Sequence, residues 1–466
     1  MRTITKDTLN KVGETVTLMG WVDVRRDHGK LIFIDLRDRW GIAQVVFSPK
    51  NNELLKIADK LRSEWVIKID GVVKERPEGM QNADILTGKT EIEATRLEIL
   101  AEAKTPPFDV SGDGREIDEE LRLKYRYLDL RRSRLQKNIF LRDKFLNLTR
   151  EYLRKEDFIE IETPMLTKST PEGSRDFVVP SRIYSGKFYA LPQSPQQYKQ
   201  LLMAAGFERY FQIARAMRDE DTRADRALEH TQIDLEMSFV EQNDVMNLVE
   251  GLVTSVVEKL GYGVYQKPFP IFSCQEAIKK FGADKFDIRE KKEPNVLGFA
   301  WVKDFPVFEK DENGNLTYSH NPFTAPKPEE VEKLMDGRNL EKLVSLQYDL
   351  VLNGYEVGGG GIRINKAEVL EKIFEVLGHS KEKIHREFGH MLEAFKYGAP
   401  PHGGIALGLD RLIMILTGET AIREVVAFPL TGDGRDPMMD SPSEISKEQL
   451  KELHIKLDIL KEKKGK

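Results

Sequence analysis

Apolar residues recur at every second position through most of the first hundred residues. In ETVTLMGWVDV (14–24), Val16, Leu18, Val22 and Val24 share one parity, and LIFIDLRD (31–38), AQVVFS (43–48), WVIKIDGVV (65–73) and EIEATRLEIL (91–100) keep the same two-residue period. Between the third and fourth of these strands lies one stretch with helical spacing, NNELLKIADKL. Five strands with a helix after the third is the order of an OB-fold, a small Greek-key barrel that commonly binds oligonucleotides or oligosaccharides. The period is lost in AKTPPFDVSGDGREIDEE (103–120), which is rich in Pro, Gly and acid and reads as a linker.

A cationic run with interleaved aromatics, RLKYRYLDLRRSRLQKN (122–138), comes next, followed by the amphipathic stretch IFLRDKFLNLTREYLRKEDF (139–158). Alone, the run reads as a solvated helix face. From residue 158 to about 430 short strand-like runs alternate with helices and glycine-rich corners, the pattern of a mixed α+β domain of enzyme size. Within it FIEIETPML (158–166) reads as a strand whose Pro164 cannot donate to a ladder, so an edge or a subunit boundary is predicted. Ser446 three residues before Gln449 signals a last helix, with Leu450, Leu453, Leu457 and Leu460 on one face. The resulting division is a barrel over 1–104, a linker or hinge over 105–135, the α+β domain over 136–440, and a helix and tail over 441–466.

Composition narrows the function. A chain of 466 residues with 40% hydrophobic and 32% charged residues is neither a small binding module nor globally disordered. Its net charge of −5 is unlike that of a histone or ribosomal protein. The single cysteine, Cys274, builds neither an internal disulfide nor a thiolate metal cage, which fits a reducing, cytoplasmic setting. Neither a signal peptide nor a stretch approaching the ~20 apolar residues of a membrane span is present, so no membrane association is expected. The P-loop-like ADILTGKT (83–90) has Ala83 in place of the first glycine and lies in a barrel hairpin, where a β-turn is the better reading. Nucleophile elbows and HExxH metal spacing are absent.

Phosphate chemistry must then rest on other segments. YFQIARAMRDEDTRADRALEHTQIDLEMSF (210–239) pairs two strand-like runs across a loop dense in Arg and Asp, a composition suited to gripping polyphosphate directly and through a divalent cation. PHGGIALGLDRLIMIL (401–416) is a small-residue strand running into a helix through Gly408-Leu409-Asp410-Arg411, which lets backbone and one guanidinium approach a ligand closely.

In this order the three segments resemble motifs 1, 2 and 3 of the class II aminoacyl-tRNA synthetases, with Pro164, Arg218 and Arg411 on the signature positions. With the barrel, LPQSPQQYKQLLM (191–203), STPEGSRDF (169–177) and YDLVLNGYEVGGGGIRI (348–364), nearly the whole chain is similar to the bacterial-type aspartyl-tRNA synthetases. That resemblance implies an OB-fold anticodon-binding domain and a class II catalytic domain built on an antiparallel sheet. It implies ATP as substrate, held by Arg218, Asp219, Glu220, Ala227, His230, Glu356, Gly408, Leu409, Asp410 and Arg411, with Arg218 and Arg411 as the catalytic arginines. L-Aspartate would meet Glu172 on a mobile loop, Ser194, Gln196, Lys199, Arg218, Asp234, His320 and Arg363, and Mg²⁺ would lie on Asp349 and Glu356. On the barrel, anticodon contacts map to Arg26, His28, Phe33, Gln44 and Glu93. Histidine at position 28, where strict enzymes tend to carry leucine, implies charging of both tRNA(Asp) and tRNA(Asn). A homodimer through the segment around Pro164 is implied as well; no DNA partner is.

The chain departs from that pattern in places. Only about a dozen residues link FGADKFD (281–287) to WVKDFPVF (301–308), where bacterial-type members usually insert more than a hundred. Ala227 replaces a common glutamine, His230 a frequent phenylalanine, and Asn321 a second histidine. An asparaginyl- or lysyl-tRNA synthetase is the rival enzyme, opposed by Lys199, Arg363 and the QSPQ run. An inactive RNA-binding paralogue is the rival of another kind, opposed by the intact Arg218, Glu356 and Arg411.

Overall fold

The structure is a computed structural model that describes residues 1–170 and 173–458. It forms two compact units, Met1–Asp118 with Tyr127–Ser133, and Glu119–Arg126 with the chain from Arg134 onward.

In the first unit β1 (Thr15–His28), β2 (Leu31–Asp38), β3 (Gly41–Phe47), β4 (Val66–Glu75) and β5 (Thr90–Ala101) close into a barrel of order β1-β2-β3-β5-β4. The helix α1 (Asn52–Ala58) follows β3, capped by the Asn51 side chain on the Leu54 amide at 3.0 Å. Alternation sends Val22, Ile34, Leu36, Val45, Ile67 and Ile69 into the fully buried interior and leaves the other parity for the outer face. The ADILTGKT segment lies in the β4–β5 connection, not between a parallel strand and a helix.

The second unit opens with α2 (Glu119–Lys124) and α3 (Ser133–Lys155). Three arginines of the basic run are turned inward rather than onto a solvated face. Arg122 donates to the Glu424 carboxylate, Arg126 to the carbonyls of Arg423, Val426 and Ala427, and Arg134 to Glu419 and Glu424. The stretch read as one linker over 105–135 therefore carries helix from Glu119 on.

Eight strands make the central sheet: β6 (Ile159–Glu160), β7 (Arg209–Met217), β8 (Glu229–Ser238), β9 (Ile271–Ser273), β10 (Phe299–Lys303), β11 (Gln347–Leu352), β12 (Tyr355–Ile362) and β13 (His402–Gly408). Their order is β9-β10-β11-β12-β13-β8-β7-β6, antiparallel except where β9 meets β10 and β6 meets β7. One face packs on α5 (Gln242–Lys259), whose Val245, Val249, Leu252, Val253 and Val256 are buried against Ile233, Leu235, Leu350 and Ile405. The other face carries α4 (Gln196–Ala204) and the cleft described below. The helices α6 (Cys274–Phe281) and α7 (Leu409–Thr417) follow β9 and β13 directly.

Two expectations need correction. The strand read over 158–166 is only two residues long; the Ile161 amide bonds to Phe211 O, and Pro164 lies beyond the ladder, which ends before a residue that cannot donate. The strand is nonetheless a sheet edge. The last helix, α8 (Lys447–Glu452), has its Ser446 cap but stops at Leu453, because His454 turns left-handed (φ 56°) and the Ile455 amide bonds back to Leu450 O. Leu457 is thus an exposed residue off the helix, and Leu460 lies outside the described residues.

Candidate active site

Strands β8, β11, β12 and β13 floor a polar cleft of about 310 Å³. At its base Asp234 and Glu236 point the same way from β8, and Lys199 reaches both from the first turn of α4, 3.1 Å from Asp234 Oδ1 and 3.2 Å from Glu236 Oε2. Arg363 donates from Nε to Glu236 Oε1 at 2.9 Å and from Nη2 to Gly404 O at 3.2 Å. All four charged residues are at most 3% exposed. Gly404 is required there, since a Cβ would collide with the Glu236 carboxylate. Burial, then the charge of Glu236, pushes the Asp234 carboxyl above its ordinary range. Burial acts on Glu236 in the same sense, but Arg363 and Lys199 outweigh it and hold that carboxyl low.

At the opposite end β11 and β12 are joined by Asn353-Gly354, both with positive φ (51° and 94°), a tight hairpin that Asn-Gly favours. The hairpin brings Asp349 and Glu356 to either side of Gly359: a Cβ on that glycine would sit 3.3 Å from Asp349 Oδ1 and 3.5 Å from Glu356 Oε1. The neighbouring Gly358 and Gly360 have no room for a Cβ on the core side, where Leu407 and Tyr348 pack. Tetraglycine is therefore a close-approach strand. His320 Nε2 lies 3.3 Å from Asp349 Oδ2, and Lys285 Nζ 2.8 Å from Glu356 Oε2. Burial lowers the His320 pKa, but its hydrogen bond to and the charge of Asp349 more than offset this, so the net shift is upward. Among the described residues no cluster of three or more metal-ligating side chains occurs. Two carboxylates facing a phosphate-sized cleft nevertheless fit Mg²⁺, which takes one or two carboxylates and completes its shell with phosphates and water.

Between these ends Arg411 donates to Glu356 O and lies 3.2 Å from Asp225, and Arg218 Nε donates to Gln193 O at 3.2 Å. Glu220 accepts from Ser174 and pairs with Arg226 at 3.1 Å. Burial, helped by Arg218, Arg411 and Arg215, lowers the His230 pKa to about 3, leaving a neutral ring on the cleft wall. The cleft thus gathers Ser194, Gln196, Lys199, Arg218, Glu220, Ala227, His230, Asp234, His320, Glu356, Arg363, Gly408, Asp410 and Arg411, with Asp349 beside it. Asp410 also holds α7 to β8, accepting from Arg142 and from the Thr231 amide at 2.9 Å. The Leu409 side chain is in the core, and Asp219 pairs with Arg175 at 3.3 Å without lining the cleft. Glu172 lies outside the described residues.

Glu236 and Lys285 were not among the residues expected from sequence. Glu236 had a signal, an acid two positions from Asp234 in an otherwise apolar strand, IDLEM. Lys285 had none, because its partner is 71 positions away.

On the barrel, register pairs Arg26 with Phe33, Asp35 with Gln44 and Val46 with Glu93, so all the expected contacts fall on one outer face. Asp35 holds Arg26 through two hydrogen bonds of 2.6 and 2.7 Å. Exposed His28 meets Phe33 edge to face, with centroids 5.8 Å apart. Lys74 and Lys50 hold the Glu93 carboxyl below its usual range, chiefly through the Lys74 hydrogen bond.

Residues 118–432 match the class II tRNA synthetases (D, K and N), and 16–100 match the OB-fold nucleic acid binding domain of the anticodon-binding type. The chain is 42% identical to the aspartate–tRNA(Asp/Asn) ligase of Rubrobacter xylanophilus, over 96% of this chain and 95% of that one. It is 43% identical to the enzyme of the same name from Halothermothrix orenii, over 97% and 98%. These alignments run over 574 and 579 positions against 466 residues here, so both relatives carry more than a hundred residues that this chain lacks. Among solved structures, asparaginyl-tRNA synthetase from Pyrococcus horikoshii superposes with a TM-score of 0.75 at 21% identity, covering 92% of this chain and 98% of that one. Aspartyl-tRNA synthetase from Entamoeba histolytica gives 0.73 at 21%, covering 92% and 91%. At that identity the likeness is one of fold.

Proposed function

The chain belongs to the aspartate–tRNA(Asp/Asn) ligase family of class II tRNA synthetases, and from that premise we propose that it attaches L-aspartate to both tRNA(Asp) and tRNA(Asn). The observation that carries the amino-acid assignment is the fully buried Lys199–Glu236–Arg363 cluster with Asp234 beside it. Two cations anchored from below present donors to a side-chain carboxylate, while Asp234 accepts from the α-ammonium. Asparagine would place an amide against those donors and leave one of its own N–H groups facing a cation, a mispairing worth ~10⁴ or more in selectivity.

In the first step an α-carboxylate oxygen of aspartate attacks the α-phosphorus of ATP. The bond to the bridging oxygen breaks, diphosphate departs, and aspartyl-adenylate remains. No general base is needed, so the barrier falls by orientation and charge neutralisation. Arg218 faces the α-phosphate, Arg411 the outer phosphates, and neutral His230 with Glu220 the adenine. Asp349 and Glu356 would hold Mg²⁺, which when bound neutralises phosphate charge. In the second step the terminal tRNA hydroxyl attacks the acyl carbon and AMP leaves. Phe33 stacks a splayed anticodon base while Arg26, Gln44 and Glu93 read edges, and His28 beside Phe33 is polar and adaptable enough to accept the third anticodon base of either tRNA.

The edge strand β6 with exposed Ile159, and exposed Leu166 a few residues beyond it, supports a homodimer joined at this edge. Among the described residues no helix is long and apolar enough to cross a membrane, and tRNA charging is work for the cytoplasm. Aspartate-dependent exchange of diphosphate into ATP, followed by charging of both tRNA transcripts, tests the reading. Absent exchange overturns the assignment; charging of tRNA(Asn) a thousandfold below that of tRNA(Asp) leaves a strict enzyme.

A further inference from the structure

Lys285 is a cleft cation that the adenylation scheme above does not use. It follows the left-handed Gly282 (φ 80°) that ends α6, and its ammonium lies 2.8 Å from Glu356 Oε2. Glu356 is also where Arg411 lands, since that guanidinium donates to the Glu356 carbonyl. Two cations therefore converge on one residue at the phosphate end of the cleft, away from the Lys199–Arg363 cluster.

The backbone around Lys285 is held on both sides. Phe286 is 5% exposed, stacked on Phe281 with centroids 4.0 Å apart and set edge-on to Phe272, and its carbonyl accepts from the Gly354 amide at 3.0 Å. Gly354 belongs to the hairpin between Asp349 and Glu356, so the loop bearing Lys285 is tied to the strands bearing the two acids. Arg289 closes the loop, donating to both Asp287 oxygens at 2.9 and 2.8 Å and to Val296 O at 2.7 Å. The Lys285 side chain, by contrast, is 47% exposed, and a half-exposed ion pair stabilises a fold by only ~0–1 kcal/mol. A tethered loop that aims a half-exposed cation into a cleft suits ligand binding better than stability.

Resting on the synthetase reading, we propose that Lys285 is a polyphosphate-binding residue. In the structure its ammonium neutralises Glu356. When ATP enters, the ammonium moves to the phosphates that depart as diphosphate, and Glu356 is left to hold the divalent cation that would keep positive charge beside the acid.

Calorimetric titration of the full chain with AMP, ATP, inorganic diphosphate and L-aspartate in EDTA tests this. In Lys285→Met, affinity for ATP and diphosphate in EDTA falls roughly tenfold or more, the size of one charge-assisted hydrogen bond, while AMP and L-aspartate bind within about twofold of wild type. Lys285→Arg, which keeps the charge, recovers most of the loss. Unchanged ATP and diphosphate binding in Lys285→Met overturns the inference, as does an equal loss of AMP binding, which marks a structural role. Wild-type protein that bound neither nucleotide would overturn the synthetase assignment itself, a result distinct from both.

Discussion

Replacing Glu424 by Gln tests whether the basic run at 122–134 is an internal fastener. Its carboxylate is gripped by Arg122 Nη2 at 2.8 Å and by Arg134 Nη2 at 2.9 Å, with Arg134 also on Glu419 at 2.7 Å. Burial alone would raise the Glu424 pKa, but these two guanidiniums hold it at about 2 against an ordinary 4.5. At ~1.4 kcal/mol for each tenfold difference in proton affinity, the ionised form contributes ~3 kcal/mol to folding at neutral pH. Because the folded value is the lower one, that contribution is complete above about pH 5 and is lost as pH falls from 4.5 towards 2. Urea unfolding followed by circular dichroism should therefore show Glu424→Gln less stable than wild type by ~3 kcal/mol at pH 7.5. The gap should narrow by roughly 1 kcal/mol at pH 4, where the unfolded wild-type chain has begun to take up its proton and the glutamine variant cannot. A gap below ~0.5 kcal/mol, or one that does not change with pH, would refute the reasoning.

Arg363→Leu removes one of the two cations on Glu236 and should raise the KM for aspartate at least ~30-fold, the lower end of what truncating a buried charge pair costs, with binding of tRNA to the barrel face within twofold. Aspartate kinetics and a tRNA filter-binding assay read the two effects; parallel loss would mean a folding defect, for which Arg363→Lys, keeping the charge on Glu236, is the control. Gly359→Ala places a methyl 3.3 Å from Asp349 Oδ1 and 3.5 Å from Glu356 Oε1. It should raise the Mg²⁺ requirement of diphosphate exchange about tenfold with little change in the thermal midpoint, whereas unchanged Mg²⁺ dependence would move the metal elsewhere.

What was legible in the sequence is what short-range physics determines. Barrel strands alternate because one face of each is buried, so Ile34 and Leu36 declare their side without knowledge of any partner. Motif segments were readable because their residue types are constrained one by one: Gly404 by the Glu236 carboxylate, Gly360 by Tyr348. The failures share a cause. Pairing of Arg122 and Arg134 with Glu424 spans about three hundred residues, so a buried fastener and a solvated basic helix look alike along the chain. Termination of α8 depends on His454 adopting a left-handed backbone, which nothing in its residue type requires.

Five cations of the cleft share one further regularity that no local pattern encodes. Lys199 and Arg363 rest on Asp234 and Glu236, Lys285 on Glu356, Arg226 on Glu220 and Arg411 on Asp225. A cleft that must receive a triphosphate needs several cations close together, and unpaired they would repel one another at low dielectric. Resident acids remove that cost, and an acid whose cation turns to an incoming anion must in turn be met by water or by a divalent cation. Polyphosphate binding then becomes an exchange of partners. This explains why the acids of such a cleft are as necessary as its bases, and why Glu236, which touches no proposed substrate, is buried as deeply as the arginine it holds.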